Sequence, residues 1–444
     1  MASWLDSLTT TPAMRAVFSD RGRLQGMLDF EAALARAEAR LGVIPPSVVA
    51  PIAAACRAEL YNPGALAAAT ATAGNPAIPM IQALRERVRL SEGDAEAARF
   101  VHFGATSQDA MDTGLMLQLK AGVALVSADL GRIAAALGGL ARTHQGTLIV
   151  GRTWLQQAQP TTFGLKVAGW LDAVRRDEVR LAAYAARGLA VQIGGAVGTL
   201  AAIGPAGLEV AAALAGDLGL ACPLLPWHTQ RDRVAEAGTT LALVVGTMGK
   251  IARDASLMMQ TEVAEVFEPD APGRGGSSAM PQKRNPIGSS AVLAAAARVP
   301  ALAAILLGAM AQAHERGLGD WQAEWETLPE IALLAGGAVA QIAQLLDGLE
   351  VDAARMRENL DATGGQIYAG AVAIALTRAG MVSAHAAVEK ACRRAAAERR
   401  PLREVLAEDA EIRGRLGDAE LDRLFDPANA VGLAAALVER MLRS

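Results

Sequence analysis

Apolar residues recur at helical spacing along most of this chain. In the first long stretch Leu28, Ala32, Leu34 and Ala37 share a face, and the pattern predicts a helix running to Leu41. Ser19 or Asp20 is placed to cap its start, and Pro45-Pro46 stops it. A short helix over 48–60 follows, then an Asn62-Pro63-Gly64 turn, a Gly74-Asn75-Pro76 loop and a helix over 80–88. Much longer periodic stretches come next. They cover 108–144, 162–189 and a span from Pro226 to Val266, the last with Leu241, Val245, Met248 and Ile251 in register. An Ala-rich helix is expected over 286–313. Beyond Val351 the helices become shorter and more charged; one over 384–399 carries an arginine cluster best read as a solvated face.

Composition sharpens this picture. Hydrophobic residues make up 52% but aromatics only 4%, so the apolar content is mostly Ala, Leu and Val. Ala and Leu favour helix, and few segments show the alternation of strands, so the fold class expected is all-α. A chain of 444 residues exceeds one compact core. We divide it into an N-terminal helical domain (1–103), a central long-helix domain (104–350) and a small C-terminal helical domain (351–444). The net charge of −4 gives no hint of nucleic-acid binding, so any anion site must be local. Cys56, Cys222 and Cys392 lie far apart, which argues against a disulfide frame or a zinc site and fits a reduced cytoplasm. The first 20 residues lack a secretory pattern, and the apolar run 299–313, interrupted by Pro300, is too short to span a membrane.

Candidate chemistry concentrates in four strings. Gly275-Gly276-Ser277-Ser278-Ala279-Met280-Pro281-Gln282-Lys283-Arg284-Asn285-Pro286 is a polar loop leading into the Ala-rich helix. A helix start offers unpaired N–H groups and a positive dipole end. With Ser277, Lys283 and Asn285 beside it, it would suit a substrate carboxylate or a developing oxyanion. The ordinary reading of such a string is a surface loop with a solvated Lys-Arg pair. His102-Phe103-Gly104-Ala105-Thr106-Ser107-Gln108-Asp109 opens the 108–144 helix, with Thr106 or Ser107 able to cap it. Gly151-Arg152-Thr153-Trp154-Leu155-Gln156-Gln157 precedes the 162–189 helix, and Trp154 reads as a packing aromatic. His314-Glu315-Arg316 follows the 286–313 helix, where basic residues often only offset the dipole. The Gly194–Thr199 turn lacks the strand-then-helix context of a dinucleotide site.

Three of these strings resemble the signature segments of the fumarase/aspartase superfamily over essentially the whole chain. Gly276 to Pro286 fits its Gly-Ser-Ser-x-Met-Pro-x-Lys-x-Asn-Pro pattern at every fixed position. The resemblance implies a three-domain helical fold with a long central helix bundle. It implies that Ser277 is the acid/base and that Ser278, Lys283 and Asn285 bind carboxylate. It further implies that His102, Thr106, Ser107, Arg152, Thr153, Gln157 and Arg316 line the substrate site. His102 competes with Ser277 as the proton donor. No cofactor and no metal are implied. The family builds composite sites in a homotetramer, each from segments of three subunits.

Within the superfamily, Trp154 stands where many elimination lyases carry histidine. Trp321, Gln322, Glu324 and Trp325 stand where the adenylosuccinate branch carries its phosphate-binding serines and arginine. These departures, with Trp227-His228-Thr229-Gln230-Arg231-Asp232-Arg233, resemble the bacterial branch that cyclises 3-carboxy-cis,cis-muconate. That branch implies a small tricarboxylate substrate closed to a carboxymuconolactone in protocatechuate breakdown. A fumarate-releasing lyase, such as an adenylosuccinate lyase, is the alternative on the same fold. A non-catalytic structural homologue is the second alternative, opposed by the intact Ser277, Lys283 and Asn285.

Overall fold

The computed structural model describes residues 4–91 and 95–444. The chain forms two compact units, each made of several passes. One comprises Met1–Gly131, Arg176–Lys250 and Ser290–Ile342; the other comprises Arg132–Arg175, Ile251–Ser289 and Ala343–Ser444.

Helices dominate, and their ends have local causes. Asp20–Arg40 starts where the Ser19 hydroxyl accepts the Gly22 N–H at 3.0 Å. It stops at Leu41, before the two prolines, with Gly42 in the left-handed region at φ 73°. Its Gly26 lies on Gly114 of the Ser107–Thr143 helix; a Cβ there would stand 2.8 Å from the Gly114 carbonyl oxygen. Any side chain would therefore force the two helices apart. Leu28, Phe30 and Leu34 lie in a hydrophobic core of the first unit, with Ile52, Leu84, Val191 and Leu214.

The long helices observed are Ser107–Thr143, Phe163–Arg187, Asp232–Met258, Ile287–Gly308 and Asp320–Asp347. The third begins at Asp232 rather than Pro226, because Trp227, His228 and Arg231 are buried in non-helical backbone and held by polar contacts. The fourth ends at Gly308, five residues short of the expectation. The last has Pro329 in its interior, a residue that hides a helix from a sequence reading. By length and composition Ser107–Thr143, Ile287–Gly308 and Asp320–Asp347 could cross a membrane, which corrects the inference drawn from the 299–313 run alone. In the last of them 78% of the apolar window is buried inside the protein, against 28% in each of the other two.

In the second unit the all-helical expectation meets an exception. Leu148–Thr153 and Gln156–Thr162 form an antiparallel hairpin, with Thr153 opposite Gln156 and an irregularity between Gly151 and Arg152. The shorter helices Ala369–Arg378, Ala384–Glu398, Leu402–Glu408 and Ala410–Leu424 gather around Val372, Leu376, Val388, Leu402, Leu406 and Leu421. Arg394 and Arg400 pair with Glu398 and Glu408 on the exposed side, as a solvated face should.

Candidate active site

In the first unit the candidate residues sit on a buried polar network. Arg316 donates from Nη1 to the Thr106 hydroxyl at 3.0 Å, from Nε to Gln108 at 3.1 Å and from Nη2 to the Ala196 carbonyl at 3.1 Å. Thr106 and Arg316, 210 residues apart, are thereby brought together. The Thr106 hydroxyl is engaged by Arg316, and the helix start is satisfied from the other direction: Asp109 accepts the Thr106 N–H at 2.9 Å. Asp109 also accepts from Gly195 N–H at 3.0 Å, Gln192 at 3.1 Å and His228 Nε2 at 2.7 Å. Burial pushes its pKa up, but these donors outweigh burial and hold the carboxyl below its ordinary range.

Beneath this segment Gln108 donates to Asp112 at 3.0 Å. Asp112 accepts both Nη groups of Arg231, at 2.7 and 3.1 Å, while Arg231 Nε reaches Glu324 at 3.0 Å. Arg231 is fully buried, with its guanidinium 4.9 Å from the Trp227 ring centroid. Trp321 donates to Asp112 at 3.2 Å and packs edge-on against Trp325 at 5.0 Å. Trp321 and Trp325 thus pack beside a closed ion cluster.

His102 has positive φ, 61°, and its Nδ1 lies 2.6 Å from Glu31, a buried residue of the Asp20–Arg40 helix. Ser107 is half-buried at the helix start.

In the second unit the Gly275–Pro286 loop is largely exposed, including Ser278 and Lys283. Its base is pinned. Asn285 N–H donates to the Gly275 carbonyl at 2.8 Å, and Arg284 bridges Glu350 at 2.7 and 3.1 Å and the Glu268 carbonyl at 2.7 Å. Arg284 is thus a clamp, and the solvated Lys-Arg pair of the ordinary reading does not form. Ser277 Oγ accepts the N–H groups of Ala279 and Met280 at 3.3 and 3.1 Å. Those donors would stabilise an alkoxide on Ser277.

One expectation fails here. The start of the Ile287–Gly308 helix is already occupied: buried Glu268 accepts Gly288 N–H at 3.0 Å and Ser289 N–H and hydroxyl at 2.8 and 2.7 Å. An internal carboxylate fills the helix-end anion site. That helix end therefore has no free N–H at Gly288 or Ser289 to offer an oxyanion.

Arg152 is also engaged. Its two Nη groups fork onto Glu265 at 2.7 and 2.8 Å, and Asn359 donates to the same carboxylate at 2.8 Å. Thr153 is exposed beside the hairpin turn, and the Gln157 side-chain carbonyl is buried without a hydrogen-bond partner. Trp154 and Leu155 form the turn itself, both at positive φ, 52° and 63°. Trp154 is 96% exposed and is not packed among the described residues, so the packing role read for it is withdrawn.

Sequence reading passed over Glu31, Asp109, Asp112, His228, Arg231, Glu268 and Glu324 as site-forming residues. A signal existed for Glu31, Asp109 and Asp112, which are charged residues on otherwise apolar helix faces.

A fold of long helices carrying these three segments defines the fumarase/aspartase superfamily, and the chain belongs to it. The family model described as Lyase matches residues 7–301, and one described as Adenylosuccinate lyase C-terminus matches 365–441. The chain is 59% identical over 438 residues to a 3-carboxy-cis,cis-muconate cycloisomerase of Pseudomonas aeruginosa, covering 98% of this chain and 95% of that one. It superposes on the crystal structure of the 3-carboxy-cis,cis-muconate lactonizing enzyme from Pseudomonas putida with a TM-score of 0.93 and 53% identity, over 100% of this chain and 98% of the other. A nitrosuccinate lyase of Streptomyces davaonensis is 46% identical, over 97% of this chain and 92% of its own length.

Proposed function

We propose that the protein is a cycloisomerase that closes 3-carboxy-cis,cis-muconate to a carboxymuconolactone, working in the cytoplasm in protocatechuate breakdown. One carboxylate oxygen of the substrate bonds to a carbon of the conjugated diene. The displaced π electrons move onto a neighbouring carboxylate as an enediolate, and a proton added at carbon completes the isomerisation. Nucleophile and electrophile belong to one molecule, so the protein supplies conformation, charge stabilisation and one proton.

Ser277 donates that proton, and the N–H groups of Ala279 and Met280 hold the alkoxide left behind. Lys283, Asn285, Ser278 and Arg316 bind carboxylates and Thr106, Ser107 and Gln157 also contact substrate, the segments coming from different subunits, while Arg152 fixes the hairpin through Glu265. The observation that carries this reading is the hairpin tip. A lyase that needs a second proton-transfer group there finds Trp154, whose indole carries none at neutral pH. Mixing the protein with 3-carboxymuconate, with nitrosuccinate and with adenylosuccinate, and following absorbance, tests it. Lactonisation of the first alone is expected; turnover of either other substrate at a comparable rate overturns the assignment.

The assembly is a homotetramer with composite sites. Supporting this, the apolar windows of Ser107–Thr143 and Ile287–Gly308 are only 28% buried within one chain, and a shared helix bundle would cover them. Light scattering should give four copies; a fully active monomer would rule it out.

A further inference from the structure

The Asp20–Arg40 helix carries two buried glutamates, Glu31 and Glu38, within an otherwise apolar face. Their surroundings differ. Glu31 has a partner, His102 Nδ1 at 2.6 Å. Both carboxyl oxygens of Glu38 are buried with no hydrogen-bond partner. A buried carboxylate without a donor is strongly disfavoured, so Glu38 stays protonated and neutral. One negative charge then remains on this face, and it lies against the imidazole.

We propose that Glu31 is a positioning residue that holds His102 as an imidazolium, so that its Nε2–H is offered to a substrate carboxylate. Glu38, kept neutral, leaves the charge of Glu31 unshared. The inference rests on the placement of His102 in the substrate site. Three observations converge on it. His102 is held in the left-handed region, which a non-glycine residue occupies only when its surroundings fix it. Its side chain is 9% exposed, so a short contact to a 1% exposed carboxylate is little screened by water. Among the described residues its only hydrogen bond is through Nδ1, which leaves the other edge of the ring for a ligand.

The charged groups around the ring are Glu31, Asp109 of the Ser107–Thr143 helix and Arg85 of the Ala77–Ser91 helix. Burial pulls the pKa of His102 down. Glu31, through charge and hydrogen bond, and Asp109 outweigh burial and the opposing Arg85, and the pKa is raised. An imidazolium on a sharply placed ring suits a substrate bearing three carboxylates better than a neutral base would.

The test uses full-length protein labelled with 13C/15N-histidine, in which five histidines report and His102 is assigned by its loss in His102→Gln. Wild type should hold the His102 imidazolium to higher pH than an ordinary histidine. Glu31→Gln should bring that titration to or below the ordinary range. It should also raise KM at least tenfold with a smaller effect on kcat, and move the alkaline limb of kcat/KM to lower pH. Glu31→Asp should restore most of the titration, and Glu38→Gln should leave it unchanged. A neutral His102 at pH 7 in wild type, or the same His102 titration in Glu31→Gln, overturns the proposal whatever the activity. If Glu31→Gln does not fold, the wild-type and Glu31→Asp titrations decide. The titration needs no substrate, so a wild-type protein that titrates as expected yet leaves 3-carboxymuconate unchanged overturns only the substrate assignment.

Discussion

The segment around Thr106 and the loop around Ser277 are both rich in polar groups, but they are held by opposite means. The first is immobilised from below. Arg316, Gln108, Asp112, Arg231 and Glu324 form one buried chain of charge-assisted hydrogen bonds, and Asp109 satisfies four donors beside it. The second is fixed only at its base, by Arg284 on Glu350 and Asn285 on Gly275, while Ser278 to Lys283 face solvent. Preorganisation in the first region has stability as its currency. In the second, few contacts oppose movement, which suits the role proposed for this loop of admitting and enclosing substrate. Substitutions in the two regions should therefore separate stability from turnover.

The largest effect is expected in the exposed loop, on rate. Ser277→Ala should lower kcat by about a hundred- to ten-thousand-fold with little change in substrate binding. Its urea midpoint should stay at the wild-type value, since Oγ meets only two local N–H groups. His102→Asn should cost less in kcat and more in KM. Near-normal turnover by Ser277→Ala beside a dead His102→Asn would pass the proton to His102.

Next comes the buried chain. Arg231→Met leaves Asp112 and Glu324 without their shared cation, and the loss of stability should reach about 3–5 kcal/mol. Urea unfolding measures it; a change below about 1 kcal/mol would show that the buried chain adds little to stability.

The third effect depends on pH. Burial, and then the charge of Glu31, push the Glu38 carboxyl from its ordinary 4.5 up to about 8. Below pH 4.5 it is protonated whether the chain is folded or not, and its native contribution is whole. Between 4.5 and 8 only the unfolded chain ionises, so native stability falls, by at most about 1.4 kcal/mol for each pH unit. Glu38→Met should therefore add about 2–4 kcal/mol at pH 8 and close to nothing extra at pH 4.5. Thermal unfolding at the two pH values checks the slope; equal gains at both would show Glu38 to be ionised when folded.

The smallest effect belongs to the hairpin tip. Trp154 and Leu155 hold left-handed backbone that costs about 1 kcal/mol or more for each non-glycine residue. Trp154→Phe keeps that cost and an aromatic ring, so stability should not move and activity should stay within a few-fold. Complete loss of turnover with an intact fold and assembly would give the indole a direct role.

Much of this molecule follows from its order of residues alone. Helical periodicity, Ala and Leu content and the Ser19 cap determine local structure, because they act over one or two turns. The strings around His102, Arg152 and Ser277 mark the superfamily because their residue types and spacing are dense and specific. Folding decided what these strings could not. The positive φ angles that turn Arg152–Gln157 into a hairpin occur at Trp154 and Leu155, which carry no turn signal of their own. The helix start at Ile287 reads as an open anion site until Glu268, 19 residues earlier, folds onto it. Glu31 and His102 are 71 residues apart, and Arg316 and Thr106 are 210 apart. Local pattern carries no information about which distant charges share a low-dielectric interior. Only the packing of whole helices sets those pairs, and with them the protonation of the buried groups they join.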